Sequence, residues 1–178
     1  MTQHLHNNKE VLPDRIFLIG YMGSGKTTLG KRLAARLGYE FIDLDHAFEE
    51  KWGTTIARYF SQYGEDNFRI RESELLKETH YPPRAVISTG GGLPCFFDNM
   101  AWMNAHGQTV YIKLNAKVLA GRLENSREER PLLRQKHGDD LVTFIEEKLT
   151  EREPFYSQAH LSVSDINLSA EKLAALLK

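Results

Sequence analysis

The sequence predicts an α/β fold, a parallel β-sheet covered by helices on both faces. Two observations carry that prediction. Short apolar runs of strand length alternate with longer amphipathic stretches, and the runs are apolar throughout, as strands buried on both faces require. With 178 residues, 41% of them hydrophobic, the chain has the size of one domain and enough apolar surface for a sizeable core.

Each element follows in order. Residues 1–14 are polar, end in Pro13-Asp14, and read as a loose N-terminal tail without the apolar stretch of a signal peptide. The domain proper is expected over 15–178. Ile16-Phe17-Leu18-Ile19 is the first strand candidate. Leu29, Leu33 and Leu37 then repeat at helical spacing, with Gly38 placed to end that helix. Phe41-Ile42 is the second strand. About forty residues separate it from the third, Ala85-Val86-Ile87, more than one crossover helix needs. This insertion, about 45–80, reads as several helices with Trp52, Ile56, Tyr59 and Phe60 as apolar positions. Thr109-Val110-Tyr111-Ile112 is the fourth strand and His160-Leu161-Ser162-Val163 a weaker fifth. Before the fifth, Leu141, Phe144, Ile145, Leu149 and Arg152 share one helical face, and Ala170 to Leu177 reads as a closing helix. The charged stretch 126–140, with Arg127, Arg130, Arg134 and Lys136, breaks the alternation and has the character of a lid.

Composition narrows the function. Lys and Arg total 23 against 24 Asp and Glu, a net charge of −1, so nothing electrostatic points to nucleic acid or a membrane surface. No run approaches the ~18 apolar residues of a membrane span. A single cysteine, Cys95, excludes an internal disulfide and fits a reducing cytoplasm. The expectation is a cytoplasmic, monomeric protein.

Gly20-Tyr21-Met22-Gly23-Ser24-Gly25-Lys26-Thr27 matches the phosphate-binding pattern G-x-x-x-x-G-K-[ST] at every specified position, between a strand and a helix. Glycines let backbone N–H groups wrap around phosphate oxygens at the positive end of the helix dipole. Lys26 supplies a point charge for the β and γ phosphates, and Thr27 a hydroxyl for Mg²⁺. A nucleoside triphosphate with Mg²⁺ follows. The guanine signature N-K-x-D is absent, and no adjacent acidic pair ends an apolar strand, which counts against GTPases and motor ATPases. Small-molecule kinases, including gluconate and nucleotide kinases, stay open, as does a nucleotide-binding module without catalysis.

Asp43-Leu44-Asp45 stands at the carboxyl end of strand two, the edge where α/β sheets bind ligands. If the segment is extended, both carboxylates face the phosphate loop. Asp45 also suits the N-cap of the helix that follows. Ser88-Thr89-Gly90-Gly91-Gly92 marks a place where something approaches the main chain closely. Arg69 with Glu72 fits a surface salt bridge, and equally a guanidinium oriented by an acid to grip a carboxylate.

Taken together, the phosphate loop, Asp43-x-Asp45, Gly64-Glu65 with Phe68-Arg69, Thr89-Gly90-Gly91-Gly92, Arg130-Pro131-Leu132-Leu133, and Arg152 with Pro154 and Tyr156 resemble the shikimate kinase family, from Arg15 onward. The resemblance implies a P-loop kinase fold with a five-stranded parallel sheet. It also implies transfer of the γ-phosphoryl of ATP to the 3-hydroxyl of shikimate, giving shikimate 3-phosphate and ADP, in the pathway to chorismate and the aromatic amino acids. Carried over, Gly23, Ser24, Gly25, Lys26, Thr27 and Thr28 hold ATP, with Lys26 also catalytic. Thr27 binds Mg²⁺ and Asp43 assists the metal. Asp45 holds the shikimate hydroxyls and acts as base, while Arg69, Gly91 and Arg152 bind shikimate. Arg130 reaches from the lid to the ATP phosphates. One departure stands out: many members carry an arginine near the adenine after the last strand, where this chain has Ser164-Asp165-Ile166-Asn167-Leu168-Ser169. Arg122 or backbone groups are the substitutes.

Overall fold

The computed structural model describes residues 12–126, 133 and 136–177. Five strands form one parallel sheet: β1 (Arg15–Ile19), β2 (Glu40–Asp43), β3 (Ala85–Ser88), β4 (Gln108–Ile112) and β5 (Leu161–Val163), in the order β2-β3-β1-β4-β5. The weak fifth strand candidate is therefore real, paired to β4 through Val110–Leu161 and Ile112–Val163.

Strand periodicity divides the core in two. Ile16 and Leu18 point to one face with Val86, Val110 and Ile112, where they meet Leu29 and Leu33 of α1 (Lys26–Leu37) and Leu173 of α7 (Ala170–Leu176). Phe17 and Ile19 point to the other face. There Ile87 and Tyr111 join Leu76 of α3 (Ile56–Glu78), Met100 and Met103 of α4 (Asn99–His106), and Tyr156 of α6 (Gly138–Tyr156). Because every β1 residue from Ile16 to Ile19 is fully buried, the strand reads as a continuous apolar run rather than an alternating one. Helix α5 (Ala116–Glu124) follows β4 and packs its Leu119 and Leu123 with Tyr21, Leu141 and Ile145.

Strand order fixes where a ligand crevice opens. From β1 the chain crosses to β2 on one side, and from β3 it passes over β1 to β4 on the other. The carboxyl end of β1 is thus a topological switch point, flanked by the loops after β3 and β4. The loops after β1, β2 and β3 come together there.

The 44–78 segment forms α2 (Leu44–Trp52) and α3, held by their own aromatic cluster of Phe48, Tyr59 and Phe68 with Trp52 and Phe60. Phe48 stacks on Trp52 at 4.2 Å and meets Tyr59 edge-on at 5.1 Å. Helix α3 is broken at Gly64, whose φ of 79° and ψ of 171° lie outside the helical region and within reach of glycine alone.

Candidate active site

The loop after β1 delivers the phosphate cradle. Ser24 N–H closes a turn on Tyr21 O at 3.2 Å, and Gly25, at φ 92°, turns the chain into α1, whose first residue is Lys26. Gly25 offers no side-chain cap, so the first-turn N–H groups of α1 face the crevice with the positive end of the helix dipole. The buried Lys26 Nζ donates to Gly20 O at 2.8 Å, Tyr21 O at 3.0 Å and Ser24 Oγ at 3.4 Å, which holds the ammonium across the loop. Beside it, Thr27 Oγ1 donates to Asp43 Oδ2 at 2.8 Å.

Asp43 corrects the reading of the acidic pair. It is the last residue of β2 and also the N-cap of α2, its Oδ1 accepting from Asp45 N–H at 3.0 Å and His46 N–H at 3.3 Å. The helix therefore begins at Leu44, Asp43 rather than Asp45 is the cap, and the extended i, i+2 geometry does not apply. Asp45 instead reaches the crevice from the first turn of α2.

The three glycines after β3 form a shelf on which the remaining groups lie. A Cβ on Gly90 would stand 2.7 Å from Glu72 Oε1 and 2.9 Å from Asp45 Oδ1, so the two carboxylates converge on one point. On Gly92 it would stand 2.5 Å from Arg69 Nη1, and on Gly91 3.1 Å from Met22 N and 3.5 Å from Arg152 Nη1. A side chain at Gly90 or Gly92 would force these polar groups to shift.

Both arginines are buried, Arg69 paired with carboxylates and Arg152 packed against tyrosines. Arg69 Nη1 donates to Glu72 Oε2 at 2.9 Å, its Nε and Nη2 donate to Glu65 Oε1, and its guanidinium lies 4.4 Å from the Phe96 ring centroid. Arg152 lies 5.0 Å over the Tyr21 ring and contacts Tyr156, whose hydroxyl donates to Gly91 O. Burial pushes the Glu72 carboxyl up to about 7; Arg69 pulls it back and nearby Asp45 raises it further. Burial likewise raises the Cys95 thiol to about 11, so at neutral pH it is no nucleophile.

On the far side of the loop a cleft of about 680 Å³ is lined by Ser24, Thr28, Arg32, Arg122, Ile166 and Leu168. Arg122 bridges its walls, donating to Ser24 O at 3.1 Å and Ile166 O at 3.4 Å. The structure thus gathers Gly23, Ser24, Gly25, Lys26, Thr27, Thr28 and Asp43 on one side and Asp45, Arg69, Gly91 and Arg152 on the other. Arg130 lies outside the described residues, as does most of the 126–140 stretch. Tyr21 and Phe96, the rings under the two guanidiniums, were not singled out by the sequence, because a lone aromatic in a loop has no periodicity to betray it.

A family model described as shikimate kinase matches residues 22–177. The chain belongs to the shikimate kinase family. A shikimate kinase of Bacteroides fragilis is 47% identical over 171 residues, covering 92% of this chain and 96% of the relative. The crystal structure of shikimate kinase from Bacteroides thetaiotaomicron superposes with a TM-score of 0.87 at 43% identity, covering 93% of this chain and 98% of that one. Another, from Acinetobacter baumannii in complex with shikimate, does so at 0.80 and 35%, covering 94% and 90%. As a member of this family the chain is an ATP-dependent kinase acting on shikimate.

Proposed function

We propose a division of labour in which the loop after β1 presents the γ-phosphoryl of ATP and the glycine shelf presents the 3-hydroxyl of shikimate to it. The observation carrying this reading is the seating of Gly91 between the phosphate loop at Met22 and the guanidinium of Arg152. Donor and acceptor machinery share a single backbone contact, so their ligands meet.

Phosphoryl transfer proceeds through a loose transition state, in which positioning and charge neutralisation supply most of the acceleration. Gly23, Ser24, Gly25 and Thr28 hold the phosphates. Lys26 leaves the loop carbonyls for the β and γ oxygens. Arg69 and Arg152 grip the shikimate carboxylate, Gly91 lies under the ring, and Asp45 orients the hydroxyl and accepts its proton late. Arg130, outside the described residues, is assigned to the ATP phosphates by its place in the sequence alone, and residues 138–140 belong to α6 rather than to a lid.

The Thr27 hydroxyl and Asp43 carboxylate, 2.8 Å apart, give an oxygen-only donor set facing the loop, which suits a hard cation completed by substrate phosphates and water. Among the described residues no cluster of three or more His, Cys, Asp or Glu could cage an ion by itself, in keeping with Mg²⁺ rather than a dedicated metal centre. When bound, Mg²⁺ neutralises charge on the β and γ oxygens.

No helix among the described residues is long and apolar enough to cross a membrane. The charge balance of −1 supports a small-molecule enzyme rather than a nucleic-acid or membrane binder, and the reading extends to a cytoplasmic monomer. A coupled ADP-release assay tests the whole. ADP should appear with ATP, Mg²⁺ and shikimate, and fall to background without shikimate or in Lys26→Met. Equal ADP release with and without shikimate would refute the acceptor assignment.

A further inference from the structure

Arg69 already holds two carboxylates before its substrate brings a third. A bidentate carboxylate needs two N–H groups on one edge of the guanidinium. Glu65 occupies such an edge with a single oxygen, accepting from Nε at 3.3 Å and from Nη2 at 3.2 Å. Glu72 takes Nη1 at 2.9 Å. Three carboxylates around one guanidinium repel, so one of them gives way.

The two glutamates are not equally able to leave. Glu72 has a side chain only 6% exposed, and its other oxygen is wedged against Gly90. Glu65 is 46% exposed, while the Arg69 side chain it covers is 7% exposed. Water can therefore receive a departing Glu65 carboxylate and not a departing Glu72. Glu65 also follows Gly64 directly, at the one non-helical residue inside α3. A backbone already out of helical register there can reorient the next residue without breaking the helix that carries Arg69.

We infer that Glu65 is an internal stand-in for the substrate carboxylate, holding the Nε–Nη2 edge of Arg69 until shikimate displaces it about the Gly64 pivot. This rests on the reading that Arg69 grips the substrate carboxylate. Its consequence is a specificity filter. Shikimate binds only to the fraction of molecules in which the edge is released, so its apparent affinity is reduced by that fraction. A ligand without a carboxylate has nothing with which to displace Glu65.

The test is a calorimetric measurement of shikimate Kd for the wild-type enzyme, Glu65→Ala, Glu65→Gln and Asp66→Asn, together with the neutral methyl ester of shikimate on the wild type. Residue 65 is half exposed, so its variants should fold. Removing the stand-in should tighten shikimate binding by roughly two- to fivefold, the scale of a partly exposed ion pair. Asp66→Asn, which removes a charge from the exposed neighbouring residue, should leave Kd unchanged. If the Glu65 variants bind shikimate no more tightly than the wild type, or if Asp66→Asn tightens it equally, the stand-in role is overturned. If acid and ester bind the wild type alike, the carboxylate-gripping role of Arg69 falls and takes this inference with it. An ester that binds poorly while Glu65→Ala gains nothing overturns the stand-in alone.

Discussion

The two halves of the crevice reach the same end, holding an anion in a buried place, by opposite means. On the ATP side the binding surface is one contiguous loop, Gly20 to Thr28, where backbone N–H groups and a helix terminus surround a single full charge, Lys26, held by the loop's own carbonyls. On the acceptor side it is assembled from α2, α3, the loop after β3 and α6, and its charges are full ones on Arg69 and Arg152. Backbone dipoles need no counter-charge, and loop carbonyls solvate the one ammonium among them. Buried guanidiniums need compensation, and here Glu65, Glu72 and the rings of Phe96 and Tyr21 provide it. The acceptor side should therefore be the half that single side-chain changes damage selectively, without disturbing nucleotide binding.

The sharpest way to break that comparison is Asp45→Asn, because Asp45 faces the shelf while its neighbour Asp43 carries the cap and the contact to Thr27. With no cap to lose, the variant should keep its fold and its Michaelis constant for ATP. Its kcat should fall by ~10²–10⁴-fold, the usual range for losing a general base, or by less if the loose transition state needs little help. Steady-state kinetics in both substrates decide it. A fully active variant would strike Asp45 from the mechanism.

Gly92→Ala should come next. Gly92 has φ −87° and ψ −20°, an ordinary conformation for alanine, so no backbone strain arises. The new methyl would stand 2.5 Å from Nη1 and 2.7 Å from Cζ of Arg69, so the guanidinium must shift within its buried pair with Glu72, at some cost in stability. Function is different, since displacing a positioning group by about 1 Å costs on the order of 10²-fold. The expected signature is kcat/KM for shikimate down by ~10–10²-fold, with KM for ATP nearly unchanged and Tm modestly lowered. A parallel loss in both substrates would mean that the halves are not separable.

The same contrast explains what the sequence could disclose. The five strands and the phosphate loop were legible because their determinants are local: apolar runs, a fixed glycine spacing, a strand before and a helix after. The triple glycine announced a close approach but not what approaches, since Asp45, Arg69, Glu72 and Arg152 come from three other elements. Arg69 with Glu72 left a surface salt bridge and an oriented guanidinium equally open, because i, i+3 spacing carries no information about burial; both side chains turn out to be at most 7% exposed. Only the extended geometry expected of Asp43 and Asp45 fails, for a physical reason: a carboxylate at the end of a strand can cap the next helix at once, which cuts the extended segment short.

The smallest effect expected is also the one that tests whether the acceptor side is electrostatically closed on itself. Burial holds the Glu72 carboxyl up to about 7 against an ordinary value near 4.5. A carboxyl raised on folding binds its proton more tightly in the native state than in the unfolded one. Stability from that proton is fully present below about 4.5 and is lost as pH rises through about 7. Glu72→Gln cannot titrate, so the difference in Tm, variant minus wild type, should climb across that window and be flat on either side. Its amplitude should be at most about ten degrees, since a shift from 4.5 to about 7 is worth roughly 3 kcal/mol and ~1 kcal/mol moves Tm by ~2–4 °C in a domain of this size. Any constant offset from exchanging acid for amide beside Arg69 drops out, because only the slope carries the linkage. Asp45 contributes to the upward shift, so in an Asp45→Asn background the climb should finish at lower pH. Parallel melting curves for wild type and Glu72→Gln would show that Glu72 ionises as an ordinary surface carboxylate, and that the shelf is wetter than its packing implies.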